Sequence, residues 1–296
     1  KGADGTSPLD AACVPVFQVA LSTSRRKAWD EEERGLSPTD LAMHVVLPEV
    51  DGRIFAGVTS FKEPRKKDHD LQFARFAHRV EPARIAAITD RVVRWITLSK
   101  TAASELTPAI VLSTYPGKDW QMAHAVGLDA IASTDAILDD LSAAGWATKA
   151  EAPLETSLGT ETIAWPLDDY EATLKSLPQS LQDDLASAWG DPSSDPAFRE
   201  DALHFSATRR GAALVALQPE RGERAVREDD YHDLARVPRH GYVAFYLWLR
   251  HSIKADALIH VGAHGTLEWL PGKAVALSDE CWPEALIKDL PVIYPF

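Results

Sequence analysis

Five short runs of apolar and β-branched residues are spaced along the chain. They lie at residues 14–21, 109–115, 212–218, 257–261 and 291–296. Apolar runs of this length, bounded by turn-forming residues, are typical of strands that are buried on both faces. The pattern therefore predicts one or two sheets built from these segments.

Longer segments with helical spacing lie between the runs. In residues 81–99, isoleucine and valine recur at helical intervals after Pro82, which suits a first helical turn. Further helices are expected at residues 120–146 and 242–251. Strands that alternate with helices predict an α/β fold, with a mostly parallel sheet or sheets flanked by helices.

Changes in composition suggest four segments. Residues 1–105 are interpreted as a first α/β segment, and residues 106–150 as a second strand–helix segment. Residues 151–201 are acidic and rich in proline, which indicates a helical insertion or lid over the main sheet. Residues 202–296 are interpreted as a further α/β segment. Within the insertion, two short helices are expected near residues 167–177 and 181–189.

Polar loops follow three of the predicted strands. Their sequences are PGKD at residues 116–119, QPERG at residues 218–222 and HVGAHGTLE at residues 260–268. Ligands of parallel α/β sheets bind beyond the carboxyl ends of the strands. The chemistry of the protein is therefore expected along this one edge.

Charge and composition narrow the classes of function. Lysine and arginine number 31 against 44 acidic residues, a net charge of −13, which argues against a nucleic-acid-binding protein. No apolar run is long enough to span a membrane, and a charge run at residues 63–70 indicates a solvated loop. The two cysteines, Cys13 and Cys281, form no CxxC motif, so the cytoplasm is the default compartment. The start at Lys1 suggests a processed chain or a piece of a longer one.

The densest chemical motif lies in residues 257–272. It spaces His260, His264 and Glu268 four residues apart, with glycines that disfavour a regular helix between them. Imidazole and carboxylate groups can bind a divalent first-row metal or accept a proton. From spacing alone, the favoured interpretation is that these are structural histidines that hydrogen-bond to the backbone.

Two Pro-Gly-Lys sequences raise the question of a nucleotide-binding loop. A P-loop requires serine or threonine after the lysine, whereas Asp119 follows Lys118 and Ala274 follows Lys273. Neither sequence predicts an ATPase. The lysines are either cations of strand-end loops or clamps for an anionic substrate.

The sequence HVGAHGTLEWLPGKAVALS, residues 260–278, resembles the signature of the large subunits of cobalt and magnesium chelatases. Its EWLPGK form is similar to the CobN branch of this family. Three further stretches share the resemblance, at residues 36–55, 231–250 and 281–296. One stretch departs from it, because residues 120–125 read WQMAHA where the family usually has a glycine-rich segment.

The resemblance implies a chelatase-like fold and an internal piece of a much longer subunit. That subunit would bind a tetrapyrrole and insert Co²⁺, its substrate metal, into hydrogenobyrinic acid a,c-diamide in cobalamin biosynthesis. ATP would be hydrolysed by separate AAA+ partner subunits rather than by this chain, and the piece alone would be inactive.

A hypothesis for the site follows from this chemistry. Glu268 would accept protons from the macrocycle, and His264 and His260 would guide the metal with it. The groups expected to hold the substrate are cations for its carboxylates and an indole for its ring face, namely Lys118, Arg221, Lys273 and either Trp269 or Trp120. Three alternatives stay open: a magnesium chelatase subunit, a non-catalytic module that binds tetrapyrrole or docks partners, and a metal-dependent hydrolase.

Overall fold

The computed structural model describes residues 5–6, 9–113, 128–149, 153–222, 233–262 and 266–295. The chain divides into two compact units. Unit 1 comprises Lys1–Val93 and Gly272–Ser278, and unit 2 comprises Arg94–Pro271 and Asp279–Phe296. Each unit therefore combines segments that are distant in sequence.

Unit 1 is built around a three-stranded sheet. Its elements in chain order are β1 (Phe17–Ser22), α1 (Arg26–Glu31), α2 (Pro38–Leu41), a π-helical turn (Ala42–Val46), α3 (Leu47–Val50), β2 (Ile54–Pro64), β3 (Phe76–Val80) and α4 (Pro82–Lys100), whose last residues belong to unit 2. β1 and β2 are parallel, and β2 and β3 are antiparallel.

The core of unit 1 centres on the indole of Trp29. The ring lies 5.1 Å from that of Phe61, and its Nε1 donates a hydrogen bond to the carbonyl of Ala276 at 2.9 Å. Ala276 belongs to the late segment of the unit, so this segment completes a core that the first 93 residues begin.

Unit 2 contains a seven-stranded sheet with the main strand order β10-β9-β4-β8-β7-β5. Its elements are β4 (Pro108–Leu112), α5 (Ala130–Ala143), α6 (Leu154–Ser157), β5 (Thr162–Pro166), α7 (Leu167–Leu174), α8 (Gln179–Trp189), β6 (Phe198–Arg199), β7 (Ala202–Arg210), β8 (Ala213–Leu217), α9 (His240–His251), β9 (Ala257–Val261), α10 (Trp282–Ile287) and β10 (Val292–Ile293). β10, β9, β4 and β8 are parallel, and β5, β6 and β7 are attached antiparallel.

The central strand β4 is covered on both faces. Successive side chains of a strand point to opposite faces. Ala109 and Val111 belong to the core cluster that contains α9, and Ile110 and Leu112 belong to the cluster that contains α5. Burial on both faces explains why this strand is a continuous apolar run.

The predicted fold class is confirmed, with one correction to the insertion. The predicted helices of residues 151–201 correspond to α7 and α8. This segment is not purely helical, however, because it also contains β5, which pairs with β7 and extends the sheet. The sequence did not reveal β5, because its five residues, TIAWP, show no alternation of apolar and polar side chains. The four-segment division of the sequence stays a prediction.

Gly35 provides a test of the packing in unit 1. Its φ of +82° lies in the left-handed region, and an added Cβ would overlap the carbonyl oxygen of Val275. Gly52 has a similar φ of +79°, but its Cβ would meet open space. Gly52→Ala should lose about 1 kcal/mol of stability from backbone strain alone. Gly35→Ala should lose about 3 kcal/mol, because the late segment must also move. Equal losses in urea unfolding of the two variants would contradict this packing.

Candidate active site at the carboxyl edge of the parallel strands

Three parallel strands of unit 2 end side by side. After β4, the amide of Ser113 donates to the carbonyl of Val261 at 3.0 Å, and the amide of Gln218 donates to that of Leu112 at 2.9 Å. At Gly262, with φ +145°, an added Cβ would lie 2.7 Å from Ser113 Oγ. The hydrogen bonding between neighbouring strands thus continues past the strand ends and brings these polar residues to one edge.

Helix α9 lies beneath this edge and is buried on all sides. Ten consecutive residues, His240–Leu249, are buried, so the helix cannot direct a polar face to solvent. Tyr242 and Tyr246 are one helical turn apart and therefore share a face. Their rings lie 5.2 Å from each other, and both hydroxyls need hydrogen-bond partners inside the protein.

A buried hydrogen-bond network supplies these partners. Gln218 Nε2 donates to the hydroxyl of Tyr242 at 3.2 Å and to that of Tyr246 at 2.6 Å. Thr266 Oγ1 donates to the Tyr242 hydroxyl at 2.7 Å, and the Tyr246 hydroxyl contacts His260 Nε2 at 3.3 Å. The network joins the ends of β8 and β9 to α9 and to the loop that follows β9.

Burial keeps the network uncharged. Desolvation raises the pKa of the hydroxyls of Tyr242 and Tyr246, and the carboxylate of Glu268 adds a smaller upward contribution to both. Desolvation also lowers the pKa of His260 to about 4, so that its imidazole is neutral at pH 7. The buried side chains at this edge, Tyr242, Tyr246 and His260, are therefore polar but uncharged at pH 7.

Arg221 and the 3-10 turn Leu267–Trp269 lie at the same edge. The guanidinium of Arg221, which is buried, donates to the carbonyl of Trp269. Glu268 is exposed on that turn, and both Glu268 and Arg221 act electrostatically on Tyr242. The structure thus brings Arg221, Glu268 and Trp269 together at this edge.

The remaining candidate residues are distributed differently. His260 is 2% exposed within β9. Lys273 lies in unit 1, where its Nζ donates to the carbonyls of Asp30 and Glu32 at 3.1 and 2.8 Å. Three candidates lie outside the described residues, namely Lys118, Trp120 and His264. Among the described residues, no three His, Cys, Asp or Glu side chains are grouped as metal ligands.

Sequence reasoning missed several residues of the site. Tyr242 and Tyr246 were assigned to an apolar helix, and Gln218 and Thr266 to loops. The i, i+4 spacing of two tyrosines in the run Tyr242–Leu249, which has no charged residue, was the available signal, since buried hydroxyls require partners.

A cavity of about 560 Å³ lies beside the QPERG loop. Within it, the buried carboxylate of Asp195 accepts hydrogen bonds from the amides of Gly241 and Ala197 at 2.8 and 2.9 Å and holds the start of α9. His240 is bound on both sides, by the Tyr170 hydroxyl at 2.7 Å and by the Gly190 carbonyl at 3.0 Å. The cavity is lined by Trp189, Ser194, Asp195, Pro196, Glu220, Arg239 and His240.

Comparison with known proteins identifies the family. The family model described as CobN/Magnesium Chelatase matches residues 1–296. The chain belongs to this family. Family membership agrees with the resemblance carried by residues 260–278 and confirms it.

Relatives in this family include subunits of two kinds of chelatase. The chain is 38% identical to "Aerobic cobaltochelatase subunit CobN" of Sinorhizobium sp, over 97% of this chain and 24% of the relative. It is 27% identical to "Magnesium-chelatase subunit ChlH, chloroplastic" of Oryza sativa subsp. indica, over 97% of this chain and 21% of the relative. The chain thus spans about a quarter of the length of these relatives.

A solved structure supports the fold of this CobN/magnesium chelatase family member. The catalytic subunit of cobaltochelatase from Mycobacterium tuberculosis superimposes with a TM-score of 0.82 at 32% identity, over 98% of this chain and 26% of that chain. Within the described residues, no helix has the length and apolar character needed to cross a bilayer.

The buried imidazole of His260 predicts a pH dependence of stability. Its pKa of about 4 in the folded chain lies below the value of about 6.5 expected in an unfolded chain. Between these values the unfolded state binds the proton and the folded state does not, so stability falls as pH decreases from 6.5 to 4. The contribution is about 3 kcal/mol, from about 1.4 kcal/mol per pKa unit.

His260→Asn removes this titration and should flatten the pH dependence over that interval, whatever it does to the stability at pH 7. Urea unfolding without added metal, at several pH values, measures both slopes. Parallel slopes for the variant and the wild-type chain would contradict the burial of a neutral imidazole.

Proposed function

We propose that this chain forms part of the tetrapyrrole-binding catalytic subunit of an ATP-dependent cobaltochelatase. The reaction would insert Co²⁺ into hydrogenobyrinic acid a,c-diamide. The observation that carries the proposal is the position of Glu268, exposed beside Arg221 at the carboxyl edge of the parallel strands. Cobalt is favoured over magnesium by the 38% identity to a CobN subunit, against 27% to a magnesium chelatase subunit.

The first chemical requirement is removal of the inner N–H protons of the macrocycle. A positioned carboxylate can accept them, and general-base catalysis contributes roughly 10²–10⁴-fold. Glu268 suits this role because it is exposed, while the Arg221–Trp269 hydrogen bond fixes the turn on which it lies. The tyrosines below it stay protonated, so they do not compete for the proton.

The second requirement is dehydration of the incoming metal ion. Imidazole and carboxylate groups offered in sequence can replace its water molecules. We assign this role to His264 and His260 together with Glu268. The low pKa of His260 supports the assignment in one respect, because a neutral imidazole keeps a lone pair at pH 7.

The substrate needs contacts that hold its carboxylates and its ring. Arg221 is the best supported, since its guanidinium is buried at the edge and oriented by the Trp269 carbonyl. Lys118 and Lys273 would provide further cations. The indole of Trp269 or Trp120 would lie against the face of the macrocycle, as flat aromatic rings do.

ATP hydrolysis belongs in this proposal to AAA+ partner subunits, and the complex to the cytoplasm. The chain has no P-loop sequence, so on its own it should release no phosphate from ATP. The second candidate function is a non-catalytic module that binds the tetrapyrrole or docks the partners. It would bind tetrapyrrole equally well without His260, His264 and Glu268.

Glu268→Gln in the full-length subunit should abolish most chelation while leaving tetrapyrrole affinity nearly unchanged. The amide preserves the shape of the side chain but loses the negative charge and the capacity to accept a proton. Initial chelation rates with the partner subunits, together with absorbance titration of the macrocycle, measure both quantities. Near-normal turnover would remove Glu268 from the mechanism.

His264→Ala distinguishes the guidance of metal from the transfer of protons. If His264 guides the ion, its loss should impair chelation most at low Co²⁺ and be partly restored at high Co²⁺. The Glu268→Gln variant serves as the control, because added metal should not restore it. The same cobalt dependence in both variants would contradict separate roles.

A further inference from the structure

A hairpin extension projects from the sheet of unit 1. β1 ends opposite Phe61, whereas β2 and β3 continue to pair as far as Pro64 and Phe76. Beyond them the pairing persists, since the amide of Arg65 donates to the carbonyl of Arg75 at 2.8 Å. Residues 64–76 are called the arm.

The arm has almost no covering of its own. Each of its residues except Ala74 is exposed. Leu71, Phe73 and Phe76 are 74%, 61% and 45% exposed. A two-stranded hairpin without a packed face is marginally stable in water. Three large apolar side chains at one site of this kind indicate a surface that is covered in the complete assembly.

Cations surround these apolar side chains. The arm carries Arg65, Lys66, Lys67 and Arg75, and the guanidinium of Arg25 lies 5.6 Å from the centre of the Phe76 ring. Within the part of the chain that the structure describes, Arg25, Arg65, Lys66 and Arg75 form no ion pair. In a chain of net charge −13, this is a local reversal of sign.

Neighbouring acids are engaged in internal hydrogen bonds. Asp68 Oδ1 accepts from the amides of Asp70 and Leu71 at 2.9 and 3.0 Å and closes the tip of the arm. Glu63 Oε1 accepts from the amide of Arg26 at 2.7 Å. These carboxylates shape the hairpin, and the cations stay available for an outside partner.

We propose that the arm and Arg25 form a docking surface for an acidic segment of another protein. Protein interfaces favour this mixture, with aromatic side chains and arginine at the contact. The partner would offer carboxylates to Arg25, Arg65, Lys66 and Arg75 and apolar side chains to Leu71 and Phe73. Electrostatic complementarity of this kind sets the association rate and the orientation of the partner.

Other occupants fit the arm less well. A small molecule needs a concave site, and the arm is exposed along nearly its whole length. A bilayer would have to desolvate Asp70 beside Leu71, at the tip, which is costly.

The identity of the partner rests on the proposed function, which supplies AAA+ subunits for the acidic segment. The test uses the full-length subunit and those partners. The arm variant combines Arg25→Glu, Arg65→Glu, Lys66→Glu and Arg75→Glu. The control makes the same change in net charge at four exposed cations of α4 and unit 2, namely Lys100→Glu, Lys149→Glu, Lys175→Glu and Arg209→Glu.

The arm variant should weaken the affinity for the partners about tenfold or more, and its dissociation constant should depend less steeply on salt. The control should stay within about twofold of wild type. A third variant, Leu71→Ala with Phe73→Ala, should weaken binding without changing the salt dependence. Circular dichroism verifies folding, and the apolar variant keeps the test decisive if the charge variant fails to fold.

Several results would overturn the proposal. The first is an unchanged affinity of the arm variant for the partners, and the second is an equal loss of that affinity in the control. The third is an arm variant that keeps its affinity for the partners but loses binding to tetrapyrrole, binding to phosphatidylserine vesicles or self-association. Failure here is distinguishable from failure of the proposed function. Partner binding that ignores the arm overturns the docking surface alone, whereas normal chelation by Glu268→Gln overturns the proton acceptor alone.

Discussion

The burial of the first ten residues of α9 is the constraint on which unit 2 depends. A helix with ten consecutive buried residues has no solvent-facing side, so the sheet and the neighbouring helices must enclose it. Phe205 of β7, for example, packs at 4.8 Å from the ring of Trp248. Burying the helix also buries two tyrosine hydroxyls, and each unsatisfied polar group would cost about 1–3 kcal/mol.

The same constraint shapes the candidate site. Partners for the tyrosines come from the ends of β8 and β9 and from Thr266, so the loops of the candidate site are bound to the buried part of α9. Polar networks that are fully satisfied rigidify their surroundings. Glu268, two residues after Thr266, thus lies on a turn with a firm base and an exposed tip.

The sequence revealed the parts of the fold whose burial is uniform. Residues 257–261 are apolar along their whole length, and the predicted strand matches β9. β2 and β7 were missed because glycine, polar and charged side chains interrupt their apolar pattern. Arg221 and Trp269 both follow parallel strands, and a hydrogen bond joins them at one edge. Lys273 follows Trp269 by four residues yet belongs to unit 1, and no local pattern encodes that change.

The seven residues Gly272–Ser278 have a consequence for synthesis of the protein. Trp29 is translated long before Ala276, the residue whose carbonyl its indole requires. At roughly 5–20 residues per second, the ribosome needs about 12–50 s to produce the intervening chain. Through that interval the early part of unit 1 waits with an open core, and unit 2 is largely synthesised first. Within this chain, unit 1 therefore closes its core only after most of unit 2 has been synthesised, which makes chaperone contact most valuable around Trp29.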